Sequence, residues 1–167
     1  MKDLTIDLIS VSDIHIVSLI HKLCFIETYS NILDIDFLVN YEITQIEKYW
    51  RGKILNHENE SYKLMFKNKF IGFISIGNSR NKSFGECEIF NFYILQEFQN
   101  YGIGSYAFNK LMTNRTNFYV EVISNNIKGC RFYEKHKGKK LTSFYETFGE
   151  KRVKNIIYKW TMLNQQS

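Results

Sequence analysis

Hydrophobic and polar positions change period several times along the chain. From Leu4 to Ser10, Leu4, Ile6 and Leu8 alternate with Thr5 and Asp7, a period of two that predicts a strand. Ser12 and Asp13 can cap the helix that follows. Ile16, Leu19, Ile20, Leu23 and Ile26 or Glu27 recur there at helical spacing. A second helical region is expected from about Asp36 to Leu55, with Ile43, Ile46, Trp50 and Ile54 on one face. The period then returns to two. Tyr62–Phe66 and Phe70–Ile76 read as strands joined by a tight turn at Asn68-Lys69, with a polar loop from Asn78 to Gly85. Glu86–Leu95 is apolar on both faces and should lie centrally in a sheet. Then come a helix from Gly102 to about Asn114, a strand over Asn117–Ile123, a helix capped by Asn125 or Asn126 and running to about Lys137, and two strands near Leu141–Phe148 and Val153–Met162.

This order predicts an α+β or α/β sandwich with a mixed sheet, containing one strand–helix–strand unit from Glu86 to Ile123. With 167 residues and no linker-like tract or repeat, one domain over 1–167 is expected. In such units ligands favour the carboxyl end of the strand and the start of the helix.

Composition narrows the field. No run nears the roughly 18 apolar residues of a membrane span, and acids occupy the N-terminal stretch where a signal peptide needs apolar residues. Cys24, Cys87 and Cys130 are widely spaced and odd in number, which argues against a disulfide framework or a zinc site and fits a reducing cytoplasm. His15 and His21 are too far apart for one helix face, so no metal is expected. The net charge of +5 favours anionic ligands. Lysines outnumber arginines 17 to 5, which argues against nucleic acid as the partner.

Candidate chemistry concentrates in Gln99-Asn100-Tyr101-Gly102-Ile103-Gly104-Ser105, where the long strand feeds a helix. Gly102 and Gly104 allow close backbone approach, and the free N–H groups of a first helical turn form a cradle for phosphate or pyrophosphate. No lysine follows Gly104, so this is not a Walker A loop. Gly102-x-Gly104-x-x-Ala107 matches the dinucleotide fingerprint, with Glu121 at about the expected distance. But Glu121 sits inside a strand, and too little chain follows for a full dinucleotide-binding sheet.

These residues resemble the GNAT superfamily of N-acetyltransferases, in its bacterial single-domain form. Gln99, Gly102 and Gly104 match its Gln/Arg-x-x-Gly-x-Gly/Ala motif. Phe92–Phe98 resembles the approach to it, and Asn126-Ile127-Lys128-Gly129-Cys130-Arg131-Phe132-Tyr133 resembles Asn-x-x-Ala-x-x-Phe-Tyr. The departures are Gln96 for a proline, Gly129 for the alanine, and Lys137-Gly138-Lys139 for the usual Gly-Phe ending.

The resemblance implies a mostly antiparallel sheet with a splayed strand pair, flanked by helices on both faces. It implies acetyl-CoA as donor and an amine as acceptor. Pantetheine would pair with backbone around Phe92, Tyr93 and Ile94. Pyrophosphate would sit on Gln99, Asn100, Tyr101, Gly102, Ile103, Gly104 and Ser105. Asn126 would bond the pantetheine arm, and Tyr133 would point at the sulfur.

An alkyl amine is only about 0.04% neutral at pH 7, so a base helps; Glu88 and Glu121 are the candidates. Tyr133 is expected to donate a hydrogen bond to the leaving sulfur, completing proton transfer only if its own pKa is lowered. Tyr29 and Trp50 could wall an acceptor site, and a homodimer is consistent with family habit. The alternative readings are a non-catalytic acyl-CoA-binding module of the same fold and a basic nucleic-acid-binding domain.

Overall fold

The computed structural model of the chain describes residues 2–56 and 59–161. The strands are β1 (Leu4–Leu8), β2 (Asn59–Phe66), β3 (Lys69–Asn78), β4 (Cys87–Ile94), β5 (Phe118–Ile123), β6 (Lys139–Phe148) and β7 (Lys151–Trp160). The helices are α1 (Ile14–Tyr29), α2 (Ile35–Asn40), α3 (Ile43–Leu55), α4 (Ile103–Met112) and α5 (Ile127–Lys135). They surround a seven-stranded sheet of order β1-β2-β3-β4-β5-β7-β6, antiparallel except for β4 against β5. The expected sandwich is therefore present, with β4 at its centre. Among the described residues no helix is long and apolar enough to cross a membrane. The expected last strand ended at Met162, which lies outside the described residues.

Alternation along the strands sends side chains to two cores. Ile74, Ile76, Ile89, Phe118, Val120 and Val122 pack with Phe108 and Met112 of α4 and Cys130 and Tyr133 of α5. Phe73 and Tyr93 face the other way, against α1 and α3, with Val17, Ile46 and Trp50.

Three expectations need correction. The helical region 36–55 is two helices, because Tyr41 and Glu42 leave helical geometry. Glu42 and Gln45 form a capping box, and Lys22 Nζ donates to the carbonyls of Leu38, Val39 and Tyr41 at 2.5, 2.8 and 2.7 Å. The hairpin turn lies one residue earlier, at Lys67-Asn68, both with positive φ. The buried face of α1 is Ile14, Val17, Ser18, His21 and Cys24, while Ile16, Leu19 and Leu23 face outward. That helix is apolar on both sides, so spacing alone picks the wrong stripe.

Two irregularities in β4 shape the site. Ser75 pairs with Asn91 and Ile76 with Ile89, leaving Phe90 as a bulge. The extra residue reverses the alternation. Ile89 and Phe92 thus share the α4–α5 face, while Glu88 and Tyr93 share the opposite one. Pairing between β4 and β5 also stops after Cys87↔Phe118, Glu88↔Tyr119 and Ile89↔Val120. Beyond that point the two strands part, leaving a gap with an unpaired backbone edge on each side.

Candidate active site

The mouth of this gap is closed by the turn leading into α4. After β4, Gln96–Phe98 makes a single 3-10 turn, and Gln99 folds back to donate from Nε2 to the Ile94 carbonyl at 2.8 Å. Asn100 and Gly102 both take positive φ, 66° and 78°, and Gly102 N-caps α4. For Gly102 this left-handed conformation costs little. The Gly102 carbonyl accepts from Tyr106 N at 3.0 Å, so the N–H groups of Ile103, Gly104 and Ser105 lie in the first turn without helical acceptors. No acid sits in that turn to offset the helix dipole. This cradle fits a pyrophosphate. Gly104 has a second reason to be small: a Cβ there would lie 3.3 Å from Phe132 Cε2 and 3.4 Å from Ile94 Cδ1. Ser105 Oγ is held by His136 Nε2 at 3.0 Å.

Three tyrosines converge inside the gap. Tyr93 OH donates to Tyr29 OH at 3.3 Å, and the side chain of Asn126 lies beside Tyr29. Tyr29, from the end of α1, therefore bridges β4 to the cap of α5. Asn126 Oδ1 accepts from Gly129 N at 3.0 Å. A Cβ at 129 would stand 2.7 Å from the Asn126 amide, which explains glycine at the resembling family's alanine position. Tyr133 is buried among Phe108, Phe132, Tyr158 and Trp160. Burial first, then the neighbouring Tyr29 and Cys130, pushes its pKa well above the usual tyrosine value, so it keeps its proton.

The two candidate bases differ sharply. Glu88 is fully buried and fully engaged. Arg80 grips it through Nε at 2.9 and 3.1 Å and through a second guanidinium nitrogen, the Arg80 backbone N–H donates at 3.1 Å, and Tyr119 OH at 2.7 Å. Glu121 is partly open, its side chain 27% exposed. Its Oε1 accepts from Asn155 Nδ2 at 2.8 Å, and Arg80 stands 3.6 Å from its Oε2. Burial and the nearby Glu146 raise its pKa to about 6 despite Arg80.

Of the residues singled out from sequence, Phe92, Tyr93, Ile94, Gln99–Ser105, Asn126, Tyr133, Glu121 and Tyr29 line the gap or its mouth. Phe92 packs on Phe132 at 5.5 Å. Glu88 sits on the gap's closed end as an ion-pair anchor. Trp50 is completely buried in the α1–α3 core, so its ring cannot wall an acceptor site. Sequence reading missed Arg80, Tyr119, Glu146 and Asn155. Asn155 had a signal: it interrupts the otherwise apolar inward series Val153, Asn155, Ile157. Among the described residues no group of three or more His, Cys, Asp or Glu side chains is placed to hold a metal ion.

A mixed sheet whose central parallel strands part after three rungs, with a helix N-terminus at the mouth that no side chain caps, defines the architecture of a GNAT-type acetyltransferase. The chain belongs to the acetyltransferase (GNAT) family, whose model matches residues 26–138. Solved structures with the same fold include the PaiA N-acetyltransferase of Thermoplasma acidophilum in complex with coenzyme A (TM-score 0.75, 18% identity, 95% of this chain and 98% of that chain). Others are the spermidine N-acetyltransferase of Vibrio cholerae with CoA and spermine (0.74, 14%, 100% of each) and RimL, the ribosomal L7/L12 alpha-N-protein acetyltransferase, with coenzyme A (0.73, 15%, 97% and 96%). No curated protein matches the chain by sequence.

Proposed function

We propose that this chain transfers an acetyl group from acetyl-CoA to a primary amine by direct attack, with no acyl-enzyme intermediate. The observation that carries the reading is the pairing, in one gap, of an uncompensated α4 N-terminus with an accessible carboxylate of raised pKa, Glu121. Pyrophosphate rests on the amides of Ile103, Gly104 and Ser105. The pantetheine arm adds hydrogen bonds to the free edge of β4 around Phe92, Tyr93 and Ile94, with Asn126 beside it.

The acceptor arrives as an ammonium from the α1–α3 face. Glu121 takes one proton; with a pKa of about 6 it is mostly ionised at pH 7 yet a stronger base than an ordinary carboxylate. The neutral nitrogen attacks the thioester carbon. The C–N bond forms and the C–S bond breaks. The Tyr133 hydroxyl donates a hydrogen bond to the developing thiolate without giving up its proton, as its raised pKa dictates. The second proton of the nitrogen goes to sulfur, and Glu121 returns the first to water. Glu88 anchors Arg80 and Tyr119.

A hollow of about 690 Å³ beside α2, lined by Asp34, Asp36, Glu150 and Tyr41, would attract a cationic acceptor. The V. cholerae neighbour is a spermidine N-acetyltransferase, which suits such an acceptor.

Two measurements test the reading. Acetyl-CoA at about 100 times its Kd should raise stability by about 2.7 kcal/mol, seen as a melting shift. Thiol release should then depend on an added amine in a panel of polyamines, amino acids and peptides. A melting shift with no thiol release from any amine would favour a non-catalytic acyl-CoA-binding module; no shift would remove the site.

A further inference from the structure

We propose that Glu146 and Asn155 are positioning residues for Glu121, and that the Glu121 and Glu146 carboxyls, clamped by one amide, act as a single proton-sharing unit at the acceptor end of the gap. This deepens the transferase reading and rests on it.

The geometry is specific. Asn155 Nδ2 donates to Glu121 Oε1 and to Glu146 Oε2, each at 2.8 Å, so both amide hydrogens are spent on carboxylates from two different strands. Asn155 is buried, at 1% exposure, and its Oδ1 has no partner. Turning the amide over would aim that oxygen at two carboxylates. The carboxylates therefore dictate the orientation, at the cost of one unsatisfied acceptor.

Glu121 and Glu146 are themselves within hydrogen-bonding reach. Two carboxylates so placed repel, and that repulsion adds to burial in favouring a proton on Glu121. When Glu121 accepts a proton from the incoming ammonium, its new O–H can donate to Glu146, and the unit falls to a single negative charge facing a neutral amine. The other groups bearing on Glu121 are Arg80 from the β3–β4 loop, Glu88 of β4 and the Tyr29 hydroxyl of α1. Arg80 draws its pKa down and Glu88 draws it up, while burial first and Glu146 second set the net direction.

The test is carboxyl-carbon NMR titration of Glu121 in the full chain, followed by pH profiles of thiol release. In wild type, Glu121 should titrate near about 6. In Glu146→Gln it should move part of the way toward the ordinary value of about 4.3, burial holding the remainder. The acidic limb of kcat/KM should shift by the same amount while the plateau falls. Asn155→Ala, which frees the pair without removing either acid, should also shift the Glu121 titration. If Glu121 titrates unchanged in a folded Glu146→Gln variant, the inference is overturned. If the NMR shift appears but wild-type protein acetylates no amine, the carboxyl pair stands and the transferase reading fails. A lowered plateau with an unmoved limb would mean that Glu146 is only structural, and would also overturn it.

Discussion

Removing a single hydroxyl separates binding from chemistry in this site. Tyr133→Phe should cut turnover by about 10- to 1,000-fold and leave acetyl-CoA affinity nearly unchanged, measured as kcat against the Kd from calorimetry. Wild-type turnover would exclude the role. Tyr133 and Asn126 were singled out through the resemblance to a family motif, and the Gln99–Ser105 turn through its glycines at a strand-to-helix junction as well. Glu121 was legible as one of two acids on neighbouring strands. What spacing could not convey was which acid is free. Glu88 loses that freedom to Arg80, eight residues upstream across a loop, and to Tyr119 of the adjoining strand. Glu146 reaches Glu121 only because β6 and β5 both pair with β7. Such partners are set by sheet register, not by separation along the chain.

The helices carry the next set of expectations. In α4 the first turn carries no acid, which suits the proposed diphosphate site. Ser105→Asp should stabilise the helix by about 0.5 kcal/mol through its dipole, yet weaken CoA binding at least about tenfold by placing charge beside a diphosphate. A urea melt and a CoA titration should move in opposite directions. In α1 the outward stripe predicts tolerance: Leu23→Lys should change stability by less than about 0.5 kcal/mol, whereas Ile46→Ala in α3, fully buried, should cost about 2–5 kcal/mol. The inward side of α1 mixes Ile14 and Val17 with Ser18, His21 and Cys24, so the more uniformly apolar stripe of that helix is the outward one. The break between α2 and α3 was invisible because neither Gly nor Pro marks it; Lys22, from another helix, supplies the cap.

For the whole molecule, the main pH liability lies in that same core. His21 is enclosed by Phe25, Tyr41, Tyr49, Trp50, Phe73 and Tyr93, and burial lowers its pKa from 6.5 to about 4. The unfolded chain therefore binds a proton that the folded chain refuses. Stability from this group is full above about 6.5 and declines as pH falls towards 4, by about 3 kcal/mol in all. Glu121, with its raised pKa, works in the opposite sense between about 4.5 and 6, more weakly because it is part-exposed. Comparing melting temperatures of His21→Phe and wild type from pH 7 to pH 4 isolates the histidine: the wild type should lose the larger share. Equal losses would sink this assignment.

The parted strands have a consequence for isotope labelling. Beyond Ile89 and Val120, each strand offers peptide groups that no neighbouring strand holds. In water these amides should take up deuterium early, although they lie at the middle of a seven-stranded sheet where slow uptake is the rule. A ligand threaded along the edge of β4 would reverse this for the segment around Phe92–Ile94 and leave β6, at the rim, as it was. The molecule thus carries its own reporter of donor occupancy, readable by mass spectrometry without any turnover.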